Sequence, residues 1–307
     1  MIKVEGLTRW FDGTLAVDSL TLEVREGEIF GLLGPNGAGK TTTVRMLACL
    51  IAPTSGQAII DGFKVGEEDT EIRRRIGFLT EAPGLYDRLS AYKNLDIYAR
   101  LYEVPADRRE RQIRRYLEML ELWDRRHDPV ATFSKGMKQK LAIARALIHE
   151  PRVLFLDEPT AGLDPEAAKL VRDFIAELRQ EGRTIFLCTH NLDEADRLCD
   201  RIGVIRQHLI QVDTPENLRN HLYGRKVVMQ LRVLSDAHLR LVRALPFVKE
   251  AYQEGDRLVV ALDNPEDENP ILVRRLVEAG AEIQFVSELK HSLEEVYLTL
   301  IKEESER

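Results

Sequence analysis

No stretch of this chain reaches 18 consecutive apolar residues, so no transmembrane helix is encoded. The start, Met1-Ile2-Lys3-Val4-Glu5-Gly6, lacks the apolar core of a secretory signal. A cytoplasmic protein is therefore expected, with any membrane role coming through a partner. Cysteine is scarce. Cys49, Cys188 and Cys199 form no close pair and no metal-ligand spacing, which argues against a disulfide framework, a cysteine metal site and a redox role. Cys49, on the helix expected after residue 42, and Cys188, inside an apolar run, read as small buried hydrophobes. Positive charge is not in excess: 44 Lys and Arg face 51 Asp and Glu, and the net charge of −7 argues against general nucleic-acid binding. What remains is ordinary for a soluble globular protein, 44% hydrophobic and 31% charged. A length of 307 residues exceeds the usual single core and predicts two domains.

Gly34-Pro35-Asn36-Gly37-Ala38-Gly39-Lys40-Thr41-Thr42 matches G-x-x-x-x-G-K-[ST], a phosphate-cradling loop. Its flanks give the pattern weight. Glu28–Leu33 is short and apolar enough for a buried parallel strand, and Thr43–Leu50 reads as a helix. Strand, glycine loop and helix together aim backbone N–H groups and the positive end of a helix at phosphate. The glycines let the backbone curl closely around the anion. Lys40 would reach the terminal phosphates and the Thr41 hydroxyl would sit on Mg2+.

Before this loop, residues 1–30 read as antiparallel strands with a turn at Gly27. Trp10-Phe11-Asp12-Gly13 sets two aromatics beside a turn, where a ring could stack on adenine or cover the sheet edge. Residues 53–79 read as strand and turn, followed by a loop carrying Glu81 at a strand end, where open α/β sheets place ligand-facing groups. From about Leu89 to Arg126 the period is helical, through Leu95, Tyr98, Leu101, Ile113, Tyr116, Leu117 and Leu120. The arginines at 108, 109, 111, 114 and 115 alternate with acids such as Glu110 and Glu118 and read as a solvated face. Ser134 is placed to cap a helix whose apolar face is Met137, Leu141, Ala144 and Leu147. A Ser-x-Gly helix start also suits phosphate.

Val153-Leu154-Phe155-Leu156 is an uninterrupted apolar run ending in Asp157-Glu158. Two carboxylates at the end of a buried strand are hard to explain by packing, because unpaired buried charge is costly. A metal ion would account for Asp157, and water activation for Glu158. Thr184–Thr189 is a further apolar strand, ending in His190 and Asn191, again at a strand's C-terminal end. After Thr214-Pro215-Glu216 the pattern restarts in the order β-α-β-β-α-β, a small ferredoxin-like domain, with a last helix at Ser292–Ile301.

Taken together these motifs resemble the ATP-binding subunit of an ABC transporter over residues 1 to about 220. Gly34–Thr42 looks like Walker A, Val153–Asp157 like Walker B, and Glu158 like the adjoining catalytic glutamate. Gly162-Leu163-Asp164 resembles the D-loop and His190 the switch histidine, while Phe11 falls where the family's adenine-stacking aromatic stands. Two departures stand out. Phe133-Ser134-Lys135-Gly136-Met137 replaces the usual Leu-Ser-Gly-Gly-Gln signature while keeping Ser134 and Gly136, and Glu81 replaces the Q-loop glutamine. Both features, and the ending Ser292–Tyr297, are similar to the ABC-2 export subgroup.

The resemblance implies an α/β P-loop NTPase fold of ABC type. A mixed sheet core (residues 1–220) would carry a helical subdomain at about 89–127, and residues 225–307 would form an α+β accessory domain. It implies an ATPase with ATP and Mg2+ bound by a cytoplasmic dimer docked on integral membrane permease subunits. The nucleotide would lie between Walker A of one subunit and Ser134, Lys135, Gly136 and Met137 of the other, with Asp164 nearby. Thr41, Asp157 and Glu81 would serve the metal, and Lys40, Glu158 and His190 the chemistry. The loop from Glu81 to Ser90 and the following helices would contact the permease. A soluble ABC-superfamily ATPase acting on nucleic acid or ribosomes is the competing reading. The short separation of Lys40 from Ser134, the single nucleotide cassette and the acidic charge count against it.

Overall fold

A computed structural model describes residues 1–80, 83–289 and 291–305 and divides the chain into two compact units, Met1–Thr214 and Pro215–Arg307. The first unit opens with β1 (Ile2–Phe11), β2 (Thr14–Val24) and β3 (Ile29–Leu33), then α1 (Lys40–Leu47), β4 (Ser55–Ile60) and β5 (Phe63–Lys64). Next come α2 (Asp69–Arg75), β6 (Ile76–Leu79), α3 (Ala91–Leu101), α4 (Ala106–Met119) and α5 (Lys135–Leu147). It closes with β7 (Val153–Asp157), α6 (Pro165–Gln180), β8 (Thr184–Thr189), α7 (Leu192–Leu198), β9 (Arg201–Arg206) and β10 (His208–Asp213).

These strands form two sheets. The antiparallel one has the order β2-β1-β4-β5, and the mixed one β10-β9-β3-β8-β7-β6, in which β9, β3, β8, β7 and β6 run parallel. Every residue of β3, β7 and β8 is buried, as continuous apolar runs covered on both faces require. One core joins the two sheets to α1: Ile2, Leu20, Phe30, Val44, Met46, Phe155 and Phe186 all belong to it. This is the mixed-sheet arrangement that the strand, glycine loop and helix require. It brings the C-terminal ends of β3, β7 and β8 to one edge.

The helical stretch after residue 89 is two helices, α3 and α4, broken at 102–105, and both pack on α5. Ser90 caps α3 by accepting the Lys93 N–H at 3.2 Å. Ile113, Tyr116 and Leu117 are buried as their period indicates, but Leu101 is 71% exposed and Tyr102 also faces outward. The arginines of α4 are paired on the surface, Arg111 with Asp107, Arg114 with Glu118 and Arg115 with Glu150 and Glu181.

Three local readings are corrected. Residues 69–75 are helical, not strand or turn; α2 is short and only Ile72 is buried, which leaves too little periodicity to see. Cys49 lies beyond α1 in a left-handed conformation (φ 57°) and is half-buried, so it ends the helix rather than sitting on it. Pro215 begins a helix of the second unit, where the sequence pattern marks only a restart.

That second unit contains α8 (Pro215–Tyr223), β11 (Arg225–Leu231), α9 (Asp236–Arg243), β12 (Val248–Glu254), β13 (Arg257–Leu262), α10 (Pro265–Glu278), β14 (Ile283–Glu288) and α11 (Leu293–Ser305). Its sheet order is β12-β13-β11-β14, all antiparallel, which with the β-α-β-β-α-β succession is a ferredoxin-like arrangement. Val227, Met229, Val260, Val242 and Leu272 form its core with the two helices, and α8 packs on α11.

Candidate functional site

The glycine loop turns sharply because two of its glycines leave no room for a side chain. A Cβ on Gly34 would lie 2.4 Å from the Ile205 carbonyl, and one on Gly39, at φ 99°, 2.6 Å from the Ala16 carbonyl. The tight curl is thus enforced by packing on β9 and β2. Gly39 caps α1 without a side-chain hydrogen bond, and the first turn has no acidic residue, so the positive end of the helix faces the loop.

A cavity of about 270 Å3 is lined by Pro35 through Thr42, together with Ala16, Asp157, Glu158, Ala161 and His190. Residues separated by more than a hundred positions meet there because β3, β7 and β8 end side by side. Lys40 is buried and donates to the Gly34 carbonyl at 2.6 Å and the Pro35 carbonyl at 3.2 Å, with its Nζ 3.9 Å from Glu158 Oε1. Phosphate oxygens would compete for the same ammonium. Glu158 Oε1 lies 2.8 Å from His190 Nδ1, and the Thr189 hydroxyl donates to Glu158 Oε2 at 3.4 Å.

Asp157 and Glu158 are consecutive, and in a regular strand they would point to opposite faces. Glu158 instead has φ 51°, in the left-handed region, while its N–H still donates to the Cys188 carbonyl at 2.9 Å. The reversal lets both carboxylates line one cavity. Lys40 partly balances their charge. The Thr41 hydroxyl and the Asp157 carboxylate, on the walls of that cavity, are hard oxygen donors of the kind Mg2+ prefers.

The remaining expected residues stand elsewhere. Phe11 ends β1, 40% exposed, with the Arg9 guanidinium 4.4 Å from its ring centre, and it does not line this cavity. Ser134 caps α5, accepting the Met137 N–H at 3.2 Å, and with Lys135, Gly136 and Met137 it lies off the cavity. Lys135 instead lies over Gly162, where a Cβ would fall 2.1 Å from Nζ, and Gln139 donates to the Pro159 carbonyl at 3.0 Å. The signature segment is therefore tied to the loop after β7 in the same chain. Asp164 caps α6, accepting the Ala167 N–H at 2.9 Å. Glu81 lies outside the described residues.

Sequence reasoning passes over Thr160, Thr189 and Glu194, which brace this site from behind. The only local signal for Glu194 is its place three residues after Asn191, which predicts a helix cap and a surface carboxylate. A second concavity of about 310 Å3 lies among α1, β6, α3 and α5. Leu50, Phe78, Tyr98, Tyr102, Arg145 and His149 contribute to its walls.

The chain is similar to known proteins along most of its length. Residues 17–161 match the family described as ABC transporter. The chain is 37% identical to the bacitracin transport ATP-binding protein BcrA of Bacillus licheniformis over 306 residues, covering 98% of this chain and 97% of that protein. It is likewise 37% identical to the daunorubicin resistance ATP-binding protein DrrA3 of Streptomyces coeruleorubidus, covering 97% of this chain and 95% of the relative. Among solved structures, an ATP-binding subunit of an ABC transporter superposes with a TM-score of 0.68 at 31% identity, covering 73% of this chain and 94% of that one. A dimeric ATP-binding cassette in a post-hydrolysis state with ADP and Pi follows at 0.65 and 27%, covering 70% of this chain and 98% of that one.

Proposed function

Because the chain belongs to the ABC transporter ATP-binding family, we propose that its hydrolysis of ATP powers export across a membrane through integral permease subunits. The observation that carries this reading is the meeting of residues 35–42 with Asp157, Glu158 and His190 in one cavity. ATP binding and hydrolysis are properties of the family. The loop amides and Lys40 hold the phosphates. Thr41 and Asp157 would hold Mg2+, which when bound neutralises phosphate charge. No cluster of three His, Cys, Asp or Glu suited to a metal occurs among the described residues, so such an ion would lean on the substrate's own oxygens.

Glu158 orients the attacking water and accepts its proton, and His190, hydrogen-bonded to the same carboxylate, faces the terminal phosphate. Phosphoryl transfer needs mainly this positioning and charge neutralisation. Ser134, Lys135, Gly136 and Met137 lie off the cavity of their own chain, which fits a role in completing the site of a second subunit, with Asp164 beside them. Phe11 serves as an adenine platform at the edge of β1.

The export assignment follows the names of the relatives, which concern bacitracin transport and daunorubicin resistance. No helix among the described residues is long and apolar enough to cross a membrane. The permease partner holds the chain at the inner face of the membrane. The concavity between α3 and α5, beside the segment 83–90, is where a cytoplasmic helix of a permease docks. Two measurements test the reading. Glu158→Gln with ATP should shift from monomer to dimer on size exclusion, and a chain that stays monomeric counts against self-association. Cross-linkers placed at Leu50 and Tyr102 should capture an integral membrane protein; capture of ribosomal or DNA-bound species instead would overturn export.

A further inference from the structure

Glu194 is fully buried in the first turn of α7, four residues after His190, where a helix-start carboxylate would ordinarily face water. Its Oε1 accepts the Thr160 hydroxyl at 2.8 Å, and Thr160 lies two residues beyond Glu158. Its Oε2 is enclosed and finds no hydrogen-bond partner among the described residues. The Thr189 hydroxyl stands close enough to favour the charged form of Glu194, while Glu158 opposes it. A hydroxyl has one hydrogen, and Thr189 directs it to Glu158 Oε2 at 3.4 Å while accepting the Asn191 N–H at 3.0 Å. Burial pushes the Glu194 carboxyl above its usual range, partly offset by Thr189, Thr160 and, on α6, Arg172.

A buried carboxyl with one oxygen unbonded is costly, and packing alone would favour an apolar side chain here. What it does is join the loop after β7 to the loop after β8. We infer that Glu194 is a positioning residue that sets the Glu158–His190 pair by holding the Glu158 loop through Thr160. This rests on the assignment of Glu158 and His190 to hydrolysis. It adds that their mutual geometry is fixed from behind by a carboxylate that touches neither nucleotide nor metal. Because Glu194 acts on alignment, its loss lowers kcat and leaves nucleotide affinity alone.

The test uses the full chain and compares steady-state ATP hydrolysis with equilibrium binding of a non-hydrolysable ATP analogue. Glu194→Ala and the near-isosteric Thr160→Val should each lower kcat by about tenfold to a hundredfold while analogue Kd stays within about twofold. The double variant should lose no more than the worse single one, because both remove one linkage. Glu194→Gln, which keeps an acceptor for Thr160, should recover most of the rate. Should Glu194→Ala fail to fold, Thr160→Val breaks the same linkage from its other end and answers in its place. Unchanged kcat in folded Thr160→Val, additive losses in the double variant, or equal losses in kcat and affinity would overturn the inference. If Glu158→Gln itself turned over ATP normally, the site assignment would fall and this inference with it; normal Thr160→Val with inactive Glu158→Gln sinks the inference alone.

Discussion

In the first unit β3, β7 and β8 run parallel; in the second unit every neighbouring pair of β11 to β14 is antiparallel. Both sheets bury apolar side chains, but they deliver their strand ends differently. Parallel strands all finish at the same edge, so the loops after β3, β7 and β8 deliver Lys40, Glu158 and His190 to one cavity. Antiparallel neighbours finish at opposite edges, and their loops are dispersed. Ion pairs of the second unit, such as Arg225 with Glu266 and Arg232 with Glu282, are correspondingly surface pairs.

The contrast can be broken in order of effect. Glu158→Gln should lower ATP hydrolysis by roughly a hundredfold to ten-thousandfold with binding intact, measured by phosphate release and nucleotide titration. No substitution confined to β11–β14 should approach that. Phe186→Ala, in a strand with no exposed residue, should cost about 3–5 kcal/mol in chemical denaturation. Phe285→Ala on β14, where the ring is 68% exposed, should change stability by less than about 0.5 kcal/mol.

Acid should separate the units as well. His149 in the first unit, stacked on Tyr102 with Nε2 2.9 Å from the Ile76 carbonyl, has its pKa lowered to about 4, first by burial. Folding therefore favours the neutral ring. Its contribution is complete above the unfolded value near 6.5, is lost as pH falls toward 4, and amounts to about 3 kcal/mol. Glu266 in the second unit is held at about 2, chiefly by Arg225, so its contribution is lost only between about 4.5 and 2. Both tryptophans, Trp10 and Trp123, lie in the first unit, so fluorescence should report its weakening below pH 6.5, and His149→Gln should flatten that limb. Glu266→Gln should have the smallest effect of all, larger at low salt than at high salt because Glu266 is exposed and Arg225 only half-buried.

How legible each part is follows from the same contrast. Uninterrupted apolar runs such as Val153–Leu156 announce buried parallel strands, and special residues at their ends announce a site. Gly34–Thr42, Asp157, Glu158 and His190 can all be read this way. Segments with less periodicity cannot: α2 buries only Ile72, and β9 and β10 carry no motif to draw notice. Glu194 is hidden for a different reason. A carboxylate three residues past an Asn cap looks solvent-facing, and only the packing of α7 turns it inward. Leu101 errs the other way, continuing the apolar period of α3 onto a surface that packs against nothing described.

The left-handed backbone at Glu158 has a bearing on how such a chain drifts under mutation. A glycine there would relax the φ of 51° while removing the carboxylate and its contacts with His190, Thr189 and Lys40. With Glu158 in its proposed role, backbone ease and turnover pull in opposite directions at a single codon.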